Sequence, residues 1–88
     1  MSVYDQYHKR QYEQPYRSTV SLINFIKKHI TSNKIYRCLD VGCGAGANIL
    51  YMSKEILFFR FEGLDIREDL IEFAKKCSQK LIFIVLTF

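Results

Sequence analysis

The segment LDVGCGAG at residues 39–46 constrains the fold of this chain more than any other feature of the sequence. Its three glycines, Gly42, Gly44 and Gly46, directly follow a strand-like apolar run at residues 35–41. A glycine-rich turn lets the backbone bend sharply, lets a ligand approach the main chain, and aims the N-terminus of a following helix at that ligand. The segment therefore predicts a strand, a binding loop and then a helix.

Strands and helices alternate along the rest of the chain. The predicted elements are a helix at 17–31, strands at 35–41, 58–66 and 81–86, and further helices at 47–56 and 69–76. Alternation of this kind indicates parallel strands joined by right-handed crossovers. We therefore predict an α/β fold, namely an incomplete Rossmann-like three-layer sandwich with about three parallel strands in the order 3-2-1 and an N-terminal helix.

The positive charge of the chain is concentrated before the glycine loop. Residues 1–34 carry six basic and two acidic side chains, whereas residues 35–88 carry seven of each. A solvated amphipathic helix explains this excess, and attraction of an acidic substrate or nucleic acid is the alternative. We predict that residues 1–34 form a helical, basic, tyrosine-rich leader and that residues 35–88 form a partial ligand-binding domain.

Tyrosines at nearly helical spacings mark the start of this leader. They are Tyr4, Tyr7, Tyr12 and Tyr16. This spacing indicates a short helix packed against the domain, with a lid over the ligand as the alternative interpretation.

Two aspartates follow predicted strands and point to the type of ligand. Asp65 lies 19 residues after Gly46, where a carboxylate can accept two hydrogen bonds from a ribose diol. Asp40 lies two residues before Gly42, where it would repel a dianionic pyrophosphate and attract a sulfonium or amino group. The sequence thus favours a cationic cofactor, although the spacing of Gly42, Gly44 and Ala47 also fits the looser dinucleotide fingerprint. For both aspartates, capping of a turn or helix is the alternative.

The cysteines and the two terminal segments indicate a reducing, cytoplasmic environment. Cys38, Cys43 and Cys77 are odd in number and form no CxxC pair, which argues against a disulfide framework or a metal site. The N-terminus is polar, and the apolar run at 81–88 is far shorter than the ~20 residues of a membrane helix. We predict a cytoplasmic protein with no metal and no membrane contact.

The two histidines, His8 and His29, have no partner pattern and are predicted to be non-catalytic.

Three motifs in this order resemble those of one enzyme family. LDVGCGAG resembles the first signature motif of class I S-adenosylmethionine-dependent methyltransferases. FEGLDI at residues 61–66 resembles the second, and residues 70–75 are similar to the helix that usually follows. The resemblance covers about residues 35–85 and implies a Rossmann-like fold, S-adenosylmethionine as cofactor and methyl transfer as the reaction.

The resemblance also implies roles for individual positions. The residues implied in cofactor binding are Asp40, Gly42, Cys43, Gly44, Gly46, Asp65 and Ile66. The loop would line the methionine and sugar of the cofactor, and Asp40 would lie near the methionine amino group. Asp65 would hold the ribose hydroxyls, and Ile66 would pack on the adenine face, with ordinary core packing as its alternative.

The chain departs from the family pattern at its C-terminal end. The family has a seven-stranded sheet, whereas this sequence predicts three strands, and Leu86 and Thr87 stand where an acidic residue often contacts adenine. We interpret the chain as the cofactor-binding, N-terminal part of a longer enzyme; a non-catalytic fragment or binding module is the alternative. Catalytic residues and the methyl acceptor are not assigned, and we expect a small molecule, with nucleic acid as the alternative acceptor.

Overall fold

Every predicted strand and helix is present, with bounds that differ by at most two residues from the predictions. A computed structural model describes the backbone of residues 3–87 and the side chains of residue 6 and residues 9–87. The elements are α1 (Val3–Glu13), α2 (Arg17–His29), β1 (Tyr36–Val41), α3 (Ala47–Glu55), β2 (Phe59–Asp65), α4 (Glu68–Cys77) and β3 (Ile82–Val85). The predictions for the side chains of Tyr4, Tyr7 and His8 lie outside the described residues.

The three strands form one parallel sheet with β2 in the centre. The order β1-β2-β3 confirms the predicted order 3-2-1. In the register, Asp40 is the partner of Gly63, and Asp65 is the partner of Val85. The carboxyl ends of β1 and β2 therefore lie side by side, which brings the glycine loop next to the end of β2.

The core lies between the sheet and the helices. Its buried members are Ile23, Ile26, Ile49, Met52, Ile56, Phe61, Ile71, Ala74 and Phe83. Side chains alternate between the two faces of a strand, so Phe61 and Phe83 point towards the helices. Residues of the opposite alternation, such as Val41 and Ile82, are exposed. The described helices thus cover one face of the sheet, which gives two layers of the incomplete three-layer sandwich that was predicted.

Helices α1 and α2 both pack on α3. The Thr19 hydroxyl donates a hydrogen bond to Asn48 Oδ1 at 3.1 Å, and Lys27 Nζ lies 3.2 Å from Glu55 Oε2. These contacts tie the N-terminal helices to the helix that follows the glycine loop.

Three further observations concern only the described part of the chain. None of its helices is both long enough and apolar enough to cross a membrane. Among the described side chains, those of residue 6 and residues 9–87, no three histidines, cysteines, aspartates or glutamates come together as a metal-binding group. The thiols of Cys38, Cys43 and Cys77 are free.

Candidate functional site

The glycine loop turns back over the end of β2. Gly42, Gly44 and Gly46 have backbone φ angles of +77°, +59° and +78°, which L-residues with a side chain rarely adopt. The amides of Gly42 and Cys43 both donate to the carbonyl oxygen of Leu64, at 2.7 and 3.0 Å. The loop is therefore attached to the central strand by its own backbone.

Gly42 and Gly46 serve different physical purposes in this loop. A Cβ built on Gly46 would lie 2.5 Å from Cε1 of Phe83, so the absence of a side chain lets α3 begin directly against the sheet. A Cβ built on Gly42 would meet no atom within 4 Å. The space above Gly42 is therefore open, and Gly42 lines a cavity at this edge of the sheet.

Asp65 connects the end of β2 to the loop and to α4. Its Oδ2 accepts a hydrogen bond from the amide of Gly44, and its Oδ1 accepts one from the amide of Arg67, both at 2.8 Å. Arg67 is the N-cap residue of α4, and α4 has no side-chain cap hydrogen bond, so Asp65 holds the turn before this helix without capping it. A carboxylate has about four lone-pair sites, so each oxygen keeps capacity for a further donor.

The carboxylate of Asp40 is half-buried, and it has no hydrogen-bond or ion-pair partner among the residues that the structure describes. It lies on the helix-covered face of β1 and lines a cavity of about 210 Å³ together with Thr19 and Asn48. Burial raises the pKa of Asp40, and the nearby charge of Asp65 raises it further. No described side chain (residue 6 and residues 9–87) donates to Asp40 or forms an ion pair with it, and α3 has no side-chain cap, so capping does not explain this residue. A bound cation would relieve the repulsion between the two carboxylates.

The cysteines beside these carboxylates act as small apolar residues. Burial, with the charges of Asp40 and Asp65, raises the pKa of Cys43 to about 11. Burial and Asp40 likewise raise the pKa of Cys38. Both thiols are therefore protonated at neutral pH. The Sγ of Cys43 lies 2.7 Å from the position of a Cβ built on Gly63, so the loop packs tightly on β2.

An apolar cavity lies next to the loop at the carboxyl ends of the strands. Its volume is about 150 Å³, and its lining residues are Val41, Gly42, Leu64, Asp65, Ile66 and Leu86. Ile66 is 63% exposed, so it is not a core residue. Leu86, at a position where the family often has an acidic residue, forms a wall of this cavity, and its amide donates to the Asp65 carbonyl at 2.9 Å.

Sequence reasoning missed one contact to the loop from the leader. The hydroxyl of Tyr12 donates a hydrogen bond to the carbonyl oxygen of Ala45, inside the glycine loop. The helical spacing of the tyrosines indicated a packed helix, but it carried no information about which atom a hydroxyl would reach.

Comparison with known protein families identifies the family to which the glycine loop and the strands around it belong. A family model described as a methyltransferase domain matches residues 32–88. The chain belongs to this methyltransferase domain family. The resemblance of the loop, of the second strand and of the following helix is thereby confirmed. No curated protein sequence matches the chain.

Solved methyltransferase structures share the fold. The plantazolicin methyltransferase BpumL is 22% identical with a TM-score of 0.65, and the match covers 97% of this chain and 35% of BpumL. DesVI from Streptomyces venezuelae is 22% identical with a TM-score of 0.66, over 97% of this chain and 34% of DesVI. A putative sarcosine dimethylglycine methyltransferase from Galdieria sulphuraria is 12% identical with a TM-score of 0.67, over 81% of this chain and 29% of that protein. The methyltransferase domain described here thus spans about a third of the length of these structures.

Proposed function

We propose that this methyltransferase domain binds S-adenosylmethionine at the glycine loop and that it forms the cofactor-binding part of a methyl-transferring enzyme. The observation that carries the proposal is the open space at Gly42, in a cavity that Asp65 also lines, together with the carboxylate of Asp40, which has no cationic partner among the described residues. BpumL was solved in complex with S-adenosylhomocysteine, the product form of this cofactor. When bound, S-adenosylmethionine supplies an electrophilic methyl group on a positively charged sulfur.

The described residues fit the parts of this cofactor. Asp40 attracts the α-amino group and the sulfonium, because an unpaired carboxylate in a half-buried position favours a nearby cation. Asp65 has lone pairs left for the two ribose hydroxyls. Ile66 and Leu86 offer apolar walls for the adenine ring. The backbone of Gly42, Cys43, Gly44 and Gly46 leaves room for the methionine and sugar part.

The chain's own residues contribute by binding and orientation. Holding a reactant in the geometry of attack and excluding water supply much of the acceleration of such reactions. We propose a small-molecule acceptor, because structural relatives include enzymes named for coclaurine and for sarcosine and dimethylglycine. Transfer to nucleic acid is the alternative outcome of an acceptor screen.

We also propose the division into a leader at 1–34 and a partial cofactor domain at 35–88. The leader helices α1 and α2 pack on α3 and contribute no strand to the sheet. A cytoplasmic location is part of the same proposal, since the three free thiols suit a reducing compartment.

Titration calorimetry of the chain with three ligands tests the proposed cofactor. We expect heat of binding with S-adenosylmethionine and S-adenosylhomocysteine and none with NAD, because Asp40 repels a pyrophosphate. Binding of NAD without a response to S-adenosylhomocysteine would favour a dinucleotide-binding protein. Absence of binding by both sulfur ligands would reject the proposal.

Asp40→Asn should raise the stability of the unliganded chain and weaken cofactor binding. The substitution keeps the shape of the side chain and removes a half-buried charge that Asp65 repels. Loss of the attraction to a ligand cation should lower the affinity for S-adenosylmethionine by about tenfold, which corresponds to about 1.4 kcal/mol. Thermal unfolding and calorimetry measure the two effects on the same samples.

The stability gain of Asp40→Asn should depend on pH. The pKa of Asp40 is raised in the folded state, so the charge destabilises the fold above that pKa and has no effect below the unfolded value of about 3.9. The difference in Tm between the variant and the wild type should therefore be largest at neutral pH and should vanish towards about pH 3. A difference that is constant over this range would contradict the assigned cause.

A further inference from the structure

Tyr12 joins three separate parts of the molecule. It lies in the last turn of α1, and its hydroxyl donates to the carbonyl oxygen of Ala45, 33 residues further along the chain. Its ring lies nearly parallel to that of Phe73 in α4, with 6.3 Å between centroids and 15° between planes. One side chain thus contacts the leader, the glycine loop and the helix after β2.

The peptide unit between Ala45 and Gly46 is held at both ends. Its carbonyl oxygen accepts from Tyr12, and its N–H donates to the carbonyl oxygen of Cys43 at 3.0 Å. Rotation of this unit would change φ of Gly46, which is +78° at the point where α3 begins. Ala45 is only 3% exposed, so water cannot readily replace a lost donor. The orientation of the unit therefore depends on the phenol.

The phenol of Tyr12 is a donor over the whole physiological pH range. Burial raises its pKa above the ordinary value, and a hydrogen bond with Cys77 and the nearby Cys43 raise it further. The hydroxyl keeps its proton, so the contact with Ala45 does not switch with pH.

We propose that Tyr12 is a positioning residue that braces the glycine loop in its ligand-binding conformation and thereby couples α1 to cofactor affinity. The inference rests on the proposed function, because the affected ligand is the cofactor assigned to this loop. It gives part of the leader a role that neither a solvated helix nor simple packing provides. Coupling of this kind is reciprocal: a ligand that favours the braced loop must also stabilise the contact between α1 and the glycine loop.

Tyr12→Phe removes only the hydroxyl and keeps the ring on Phe73. A hydrogen bond of this type contributes about 0.5–1.5 kcal/mol, so the affinity for S-adenosylhomocysteine should fall roughly 2- to 12-fold. Tyr51→Phe is the matched control, because within the described residues the Tyr51 hydroxyl has no hydrogen bond and the residue packs on the core. We expect calorimetry to give the wild-type affinity for this control.

Two further measurements separate bracing from a general loss of stability. In NMR spectra of the unliganded chain, the amide resonance of Gly46 should shift in Tyr12→Phe and stay in place in Tyr51→Phe. In the wild type, S-adenosylhomocysteine should slow hydrogen exchange of the amides at residues 9–13, a result that needs no variant to fold. An unchanged Gly46 resonance together with wild-type affinity would overturn the inference, as would unaltered exchange in a chain that binds the ligand.

Failure of the proposed function would look different. If the wild type does not bind S-adenosylhomocysteine, the assigned cofactor is wrong, and the Gly46 resonance still reports whether Tyr12 orients the loop. If the wild type binds and Tyr12→Phe binds equally well with an unshifted Gly46, only the bracing role is wrong.

Discussion

Gly46→Ala should destabilise this chain more than any other single methyl group added to the loop. Two costs add at this position. A left-handed φ of +78° costs a residue with a side chain about 1–2 kcal/mol. The new Cβ would also lie 2.5 and 2.7 Å from ring atoms of Phe83, and overpacking of this kind costs about 1–3 kcal/mol.

The expected sum is a large share of the stability of a small domain. At about 0.05–0.15 kcal/mol per residue, 88 residues give roughly 4–13 kcal/mol. A loss of about 2–5 kcal/mol should lower Tm by roughly 8–40 °C, since each kcal/mol is worth about 4–8 °C in a domain of this size. Circular dichroism during heating and urea unfolding measure the change.

Gly42→Ala is the matched control for this experiment. Its φ of +77° is nearly the same, but its Cβ would meet no atom within 4 Å. It should therefore carry only the conformational cost of about 1–2 kcal/mol. Equal losses in the two variants would show that the approach of α3 to Phe83 does not require a glycine.

Asp65→Ala should cause the largest loss of cofactor affinity. The carboxylate accepts hydrogen bonds from the amides of Gly44 and Arg67 and keeps lone pairs for the ribose hydroxyls of the proposed cofactor. Hydrogen bonds to a charged group contribute about 1.5–3 kcal/mol each, so loss of the ligand contacts should lower the affinity for S-adenosylhomocysteine by about 100-fold or more. Calorimetric titration at a temperature where the variant is folded measures this loss.

Asp69→Ala removes the same charge from the same region without touching the loop. The Asp69 carboxylate is exposed, and its hydrogen bond with Arg67 lowers its pKa. We expect this variant to bind S-adenosylhomocysteine as the wild type does. If both variants lose affinity alike, the general negative field of the region, rather than the carboxylate of Asp65, attracts the ligand.

These predictions concern residues whose importance is visible in the sequence to different degrees. The spacing of Gly42, Gly44 and Gly46 after an apolar run indicated left-handed backbone in a loop, because only glycine adopts such angles readily. Asp65 was identified from its distance to the loop. That Gly46 is limited by Phe83, whereas Gly42 faces open space, depends on how β3 packs against α3, and no local pattern carries that information.

The sequence by itself determined the alternation of strands and helices, the order of the parallel strands and the placement of two carboxylates beside a glycine loop. It could do so because hydrophobic periodicity, glycine spacing and crossover handedness are local or general constraints. Only the tertiary structure decided that Asp40 is a half-buried carboxylate without a described partner, that Ile66 is exposed beside Leu86, and that Tyr12 reaches Ala45 across 33 residues. These features arise from packing between distant parts of the chain, where the position of one side chain depends on all the elements around it.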